Sequence, residues 1–193
     1  MHVPKRQQVG ALQGGAQSQM TFQFDPAYSN VEFVIRNLWF NVRGRFRDLE
    51  GKIVLDESDI SRSSVTATIK VDSVDTGNKR RDAHLLAGDF FDVEKFPEIK
   101  FKSTSIRRGR DRDSLDLKGD LTIKDKTVPI ALSVNEMDRS RSPNGEEFVY
   151  YSATTELDRS AFGINYGPGI IGRRLQVTIN VQACDSSKVR RSK

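Results

Sequence analysis

From Thr21 onward, apolar residues recur mostly at every second position, the period that turns one strand face toward a core or cavity and the other toward water. Val31, Phe33 and Ile35 are set against Glu32 and Arg36, and Val65, Ala67, Ile69 and Val71 alternate with Thr66, Thr68 and Lys70. Similar runs over 42–55, 98–107, 114–123, 128–137, 147–157 and 173–181 bring the expected number of strands to about eight. Turn-forming residues separate them. Ser142-Pro143-Asn144-Gly145 and Arg108-Gly109-Arg110 each join two alternating runs, so neighbouring strands are expected to be antiparallel.

One segment breaks the two-residue rhythm. Between Gly77 and Phe91, the residues Lys79 to Ala87 are good helix formers followed by Gly88, which predicts a short helix. No repeat of 20 to 50 residues is visible, which disfavours a propeller or solenoid. Antiparallel strands in this number dispose of their edges by closing into a barrel or by stacking as a sandwich. Periodicity does not choose between the two. An eight-stranded barrel can be filled by its own side chains or can hold one small ligand, so the state of its interior decides the function.

The chain has 193 residues, 36% hydrophobic and 30% charged, which suits one domain able to enclose a core or a cavity. Its formal charge of +5 points at first to an anionic partner. Residues 21–183 are charge-balanced, however, and the excess comes from Lys5 and Arg6 at one end and Lys188, Arg190, Arg191 and Lys193 at the other. The expected organisation is therefore a disordered segment over 1–20, a folded domain over 21–183 and a disordered basic tail over 184–193. Nucleic-acid binding by a basic domain face is not expected.

Cys184, the single cysteine, is expected after the last strand; with no partner it excludes an intramolecular disulfide and a multi-cysteine zinc site. No apolar stretch reaches the roughly 20 residues of a membrane-spanning helix, and the start has no continuous apolar run of a signal peptide. The reading is a soluble, cytoplasmic protein with no stable membrane insertion.

Candidate chemistry is sparse. Gly167-Pro168-Gly169-Ile170-Ile171-Gly172 has the letters of a dinucleotide-binding loop but leads into an alternating, strand-like run, so it reads as a turn. His84 is the only histidine in the domain and has no nucleophile or triad companion in sequence, so it reads as a helix-surface or hydrogen-bonding residue. The pairs Asp111 and Asp113, and Glu146 and Glu147, fall in expected turns as solvated charges. No metal site and no cofactor is expected. Phe90, Phe91 and Phe96, with Leu85 and Leu86, form an apolar cluster around the short helix that could plug one barrel end or line a tunnel. Arg80, Arg81, Arg159, Arg173 and Arg174 are available to a polar head group.

Several ordered strings resemble the YceI family: FDPAYSNVEFVIRNLWFNVRGRF near the start, SVDT followed by RRDAHLLAGDFFDVEKFPEIKFKST, LKGDLTIKDKTVPIALSV, and LDRSAFGINYGPGIIGRRLQVTINVQA at the end. The resemblance covers about residues 22–183. Tyr28 and Asn37 stand where the family often has histidine. The resemblance implies an all-β, lipocalin-like barrel of eight antiparallel strands with a short helix between strands, and a long internal pocket for a polyisoprenoid or isoprenoid quinone. It also implies a non-catalytic role and a homodimer, and it leaves a periplasmic location open beside the cytoplasmic one.

Within that barrel, parity puts Phe33, Ile35, Phe46, Ile69, Phe101, Leu121, Ile123, Phe148 and Phe162 inside, and the helix segment adds Leu85, Phe90 and Phe91. These are the expected lipid contacts, with Arg80, Arg81 and Arg159 expected at the head group. A bulge at Gly44 or Gly51 would reverse the parity that follows it. The alternatives are a lipid-modifying enzyme using His84 as base, and a filled barrel acting as an interaction module.

Overall fold

The computed structural model describes residues 19–185, so the expectations for 1–18 and 186–193 lie outside the described residues. Eleven strands, one α-helix and three short 3-10 turns make up the described chain: β1 (Gln19–Phe24), β2 (Asn30–Asn37), β3 (Phe40–Phe46), β4 (Leu49–Asp56), β5 (Ser64–Lys70), β6 (Val74–Asp75), α1 (Lys79–Leu86), β7 (Glu98–Arg108), β8 (Ser114–Ile123), β9 (Lys126–Arg141), β10 (Glu147–Asp158) and β11 (Ile171–Asp185).

These eleven strands are eight long ones, three of them interrupted. β1 and β2 lie end to end along β11, with Phe24 opposite Ala183 and Val31 opposite Ile179. On their other side β2 pairs with β3 and β1 with β4. In the same way β3 and β4 lie end to end beside β6 and β5. Backbone hydrogen bonds carry the pairing across that break: Lys70 N–H donates to the Asp48 carbonyl at 3.0 Å and Arg47 N–H to that of Ser73 at 3.3 Å. The remaining strands follow in sequence order, every pair antiparallel, and β11 returns to β1 and β2. The result is a closed eight-stranded up-and-down barrel, and pairing rather than period is what excludes the sandwich.

The helix starts where its sequence provides a cap. The Asn78 side-chain oxygen accepts from the Arg80 and Arg81 N–H groups, satisfying donors that have no partner within the helix. Ala87 ends it, and the chain folds back with Phe91 N–H donating to the Leu85 carbonyl and Val93 N–H to that of Leu86. This compact loop lies at the barrel end that also carries the β2–β3 turn and the 159–170 segment.

The letters Gly167 to Gly172 form a turn, as their context predicts. Gly167 and Gly169 adopt φ of 66° and 79°, Ile170 N–H donates to the Gly167 carbonyl, and β11 follows.

Two sequence expectations are corrected at the boundaries. Gln19 and Met20 belong to β1, paired with Asp56 and Leu55, rather than to a loose segment. Cys184 is not beyond the last strand: it sits within β11, half-buried, between Gln23 and Phe148.

Gly44 and Gly51 do not shift the register, since pairing runs unbroken past both. The register shifts fall elsewhere: in β7 and β9, and between Ile171 and Leu175 of β11 where it faces β2. In β7, Ser103 and Ser105 face Gly119 and Lys118, so Thr104 is the extra residue. In β9, Asp138 and Glu136 face Tyr150 and Tyr151, leaving Met137 unpaired and exposed. The first bulge changes which parity is inward, and Ile99, Phe101 and then Ile106 share the interior.

A hydrocarbon-lined cavity as the candidate functional site

Inward side chains from all eight long strands do not meet at the barrel axis. They leave a cavity of about 430 Å³, within the range of ligand pockets. Beyond it Phe22, Val149 and Ala183, all fully buried and on adjoining positions of β1, β10 and β11, fill the end remote from α1.

The cavity stays open because of where the rings lie. Gly44, Gly51 and Gly119 each occupy an inward position of their strand. A Cβ at Gly44 would sit 2.3 Å from Phe33 Cζ, at Gly51 2.5 Å from Phe24 Cε2, and at Gly119 2.4 Å from Phe101 Cζ. Each phenylalanine therefore lies against bare backbone instead of projecting across the bore. Close packing normally leaves few voids larger than a water molecule, so a void of this size held open by three such contacts is a built feature.

Eleven of the twelve residues expected to contact lipid are on the cavity wall. Phe33 and Ile35 come from β2, Phe46 from β3, Ile69 from β5, Phe101 from β7, and Leu121 and Ile123 from β8. Leu85, Phe90 and Phe91 come from the helix segment and Phe162 from the 3-10 turn after β10. Phe33, Phe46 and Phe91 form a chain of ring contacts, with centroids 5.8 and 5.7 Å apart, which ties the helix loop to the wall.

Phe148 is the exception and is corrected here. It stands at an even position of β10, whereas Tyr151, Ala153, Thr155 and Leu157 line the cavity. Of the expected head-group arginines, Arg81 and Arg159 are on the wall, while Arg80 is exposed on the helix and is not.

The polar groups sit mainly at the α1 end. Arg81 is held by Thr76, donating through Nε to Oγ1 and through Nη2 to the carbonyl, both at 2.8 Å. Arg159 is buried, and its guanidinium donates to the carbonyls of Gly172, Ile164 and Ile171 at 2.8 to 3.0 Å. No carboxylate pairs with it among the described residues, and burial holds its pKa below the ordinary arginine value.

His84 is partly exposed on the helix, as expected, and also reaches the cavity. Its ring stands edge to face against Phe90 and Tyr166, with centroids 5.0 and 4.8 Å away, and it lines the cavity. Its Nε2 is 3.4 Å from Asp89 Oδ2, a long contact. Both His84 and Tyr166 are close to half exposed, so the cavity meets solvent between them.

Toward the other end, Tyr151 lines the cavity with its ring and donates through its hydroxyl to Glu136 Oε2 at 3.1 Å. Burial pushes its phenol above the ordinary range. No cluster of three or more metal-ligating side chains occurs among the described residues. Tyr166, Ile164 and Thr155 on the wall were not anticipated; the first two lie in a turn-rich loop, where strand parity carries no information.

The architecture agrees with that of known proteins the chain matches. The YceI-like domain family covers residues 22–183. The chain belongs to the YceI family. It is 32% identical over 153 residues to a UPF0312 protein of Pseudomonas putida and to Protein YceI of Salmonella arizonae, in each case covering 79% of both chains. Among solved structures it superposes on BcnA of Burkholderia cenocepacia with a TM-score of 0.74 at 23% identity, covering 82% of this chain and 98% of that one. A Saccharophagus degradans domain described as polyisoprenoid binding matches at a TM-score of 0.64 and 14% identity, covering 86% and 99%. These two show a shared fold. Among the described residues, no helix of this YceI-family chain is long and apolar enough to cross a membrane.

Proposed function

We propose that this YceI-family barrel binds one long apolar lipid, a polyisoprenoid or isoprenoid quinone, in its interior and carries or stores it without changing it. The observation that carries the reading is the cavity: about 430 Å³, walled by aliphatic and aromatic side chains from every strand of a closed barrel. Each methylene moved from water into such a space gains about 0.8 kcal/mol, so roughly ten of them supply on the order of 8 kcal/mol before the costs of ordering. The lining is non-directional, which makes chain length and head group the selective features. Arg81, which lines the cavity with His84 and Tyr166, is the proposed contact for an anionic or quinone-like head. Arg159 contributes its charge to the same end while its hydrogen bonds hold the loop.

Native mass spectrometry with an added polyprenol and with ubiquinone tests the reading. The expected result is a one-to-one complex that survives gentle release, with the lipid recovered unaltered. Failure to take up either lipid would overturn it. His84 on the wall motivates the competing reading of a lipid-modifying enzyme, which requires a product that His84→Ala abolishes. A homodimer belongs to the same proposal, and its mass in solution is the measurement that tests it.

A further inference from the structure

The cavity end carries an apolar surface that the barrel does not use for its own packing. β2 and β3 are joined by two residues, Leu38 and Trp39, with Asn37 opposite Phe40. Trp39 is 91% exposed, and Leu38 and Phe40 are 45% and 57% exposed. Leu38 adopts φ of 48°, a left-handed conformation that such turns usually give to glycine or asparagine. A strained leucine next to a bare tryptophan gives nothing to the core.

Leu38 N–H donates to the Ile170 carbonyl at 2.9 Å, so the tip joins a second exposed loop bearing Ile170 and Tyr166. Tyr166 meets His84 edge to face, and both line the cavity opening. The patch is therefore continuous with the entrance.

The chain segment that carries the tip is basic. From Val34 to Arg47 the chain carries Arg36, Arg43, Arg45 and Arg47 and no carboxylate. Arg45 and Arg47 pair with Asp75, but Arg36 and Arg43 have no ion pair among the described residues. Arg36 Nε donates to the Leu38 carbonyl at 3.2 Å, fixing a cation at the base of the tip. An indole and aliphatic side chains flanked by unpaired arginines are the chemistry of a membrane–water interface with anionic head groups.

We propose that the Leu38–Phe40 tip, with Ile170 and Tyr166, docks the barrel mouth onto an anionic lipid bilayer. The docking stands on these surface residues; its use, passage of a lipid between bilayer and cavity, rests on the function proposed above. Trp39 is the only tryptophan in the chain, so its fluorescence reports on the patch alone.

The test mixes the full chain with vesicles of phosphatidylcholine and phosphatidylglycerol in equal parts, and with phosphatidylcholine alone. Expected on the anionic vesicles are co-flotation, a blue shift of Trp39 emission and quenching by brominated acyl chains, all weakened by salt. Arg43→Gln should weaken partitioning about fivefold. Leu38→Glu with Phe40→Glu should abolish flotation while leaving the melting temperature and polyprenol uptake from detergent unchanged. Unmoved emission with no flotation overturns the proposal. So does a blue shift that grows with protein concentration in the absence of vesicles, because a second copy then covers the patch. A chain that takes up polyprenol but ignores vesicles sinks the docking alone, and one that floats yet takes up no polyprenol sinks only the carrier function.

Discussion

The Phe33 ring lies directly over Gly44, so close that a single methyl group there would fall 2.3 Å from Phe33 Cζ. Gly44→Ala is therefore expected to swing the ring into the bore. Overpacking of this kind costs about 1–3 kcal/mol, and the narrowed cavity should take up less polyprenol. Phe33→Ala in the same chain should return the space. Thermal melting and lipid stoichiometry by mass spectrometry check both variants, and uptake unchanged in Gly44→Ala would show that this ring does not set the cavity's width.

Asp56 predicts an acid-sensitive closure of the remote end. Its side chain is 1% exposed, accepts from Ser58 and Asp59, and lies 2.9 Å from Arg62 Nε. The Ser58 hydroxyl is the largest influence holding its pKa down, to about 2 from 3.8. A carboxylate lowered on folding stabilises above its unfolded value, and that contribution is lost as pH falls toward the folded value. Stability should therefore decline from near pH 3.8 to near pH 2. Asp56→Asn should melt lower at neutral pH and show a shallower acid decline. An unfolding free energy in urea that falls as much between pH 7 and pH 3 in Asp56→Asn as in the parent chain would count against this role.

Arg159 holds the 160–172 segment through three carbonyls. Arg159→Ala leaves those acceptors without their donors and should cost about 3 kcal/mol. Hydrogen exchange should rise in that loop and not in β7 or β8, where Arg159 makes no contact. A uniform rise over the barrel would point to global destabilisation instead.

Cys184 is half-buried in β11, and burial pushes its thiol pKa upward. Because the thiolate is the reactive form, native protein should react with a disulfide reagent at pH 8 much more slowly than urea-unfolded protein. Equal rates would show that the end of β11 opens freely.

Much of the barrel is legible in the sequence because seven of the eight long strands keep an alternating face through most of their length. What alternation does not encode is long-range pairing. Nothing local says that β11 returns to β1 and β2, so closure came from the structure. Phe148 is illegible by parity because Phe148, Val149, Tyr150 and Tyr151 are all apolar or aromatic, so alternation does not choose a face there. Neither bulged residue, Thr104 or Met137, is a glycine or a proline, and Gly44 and Gly51 serve instead to seat aromatic rings. The cavity contact of His84 is not legible, because its helix gives no sign in sequence that it lies across a barrel mouth.

The seam where β11 meets β1 and β2 constrains how cargo would travel. A sheet laced into a full circle has no gap between staves. Parting any two would strip a row of amide and carbonyl groups of their partners, each at a cost of several kcal/mol against hydrocarbon. An oily tail would then have to thread lengthwise past Tyr166 and His84, as a cord is drawn from a sheath. Its dwell time would track its length and the motion of two short loops, while the staves themselves stayed still.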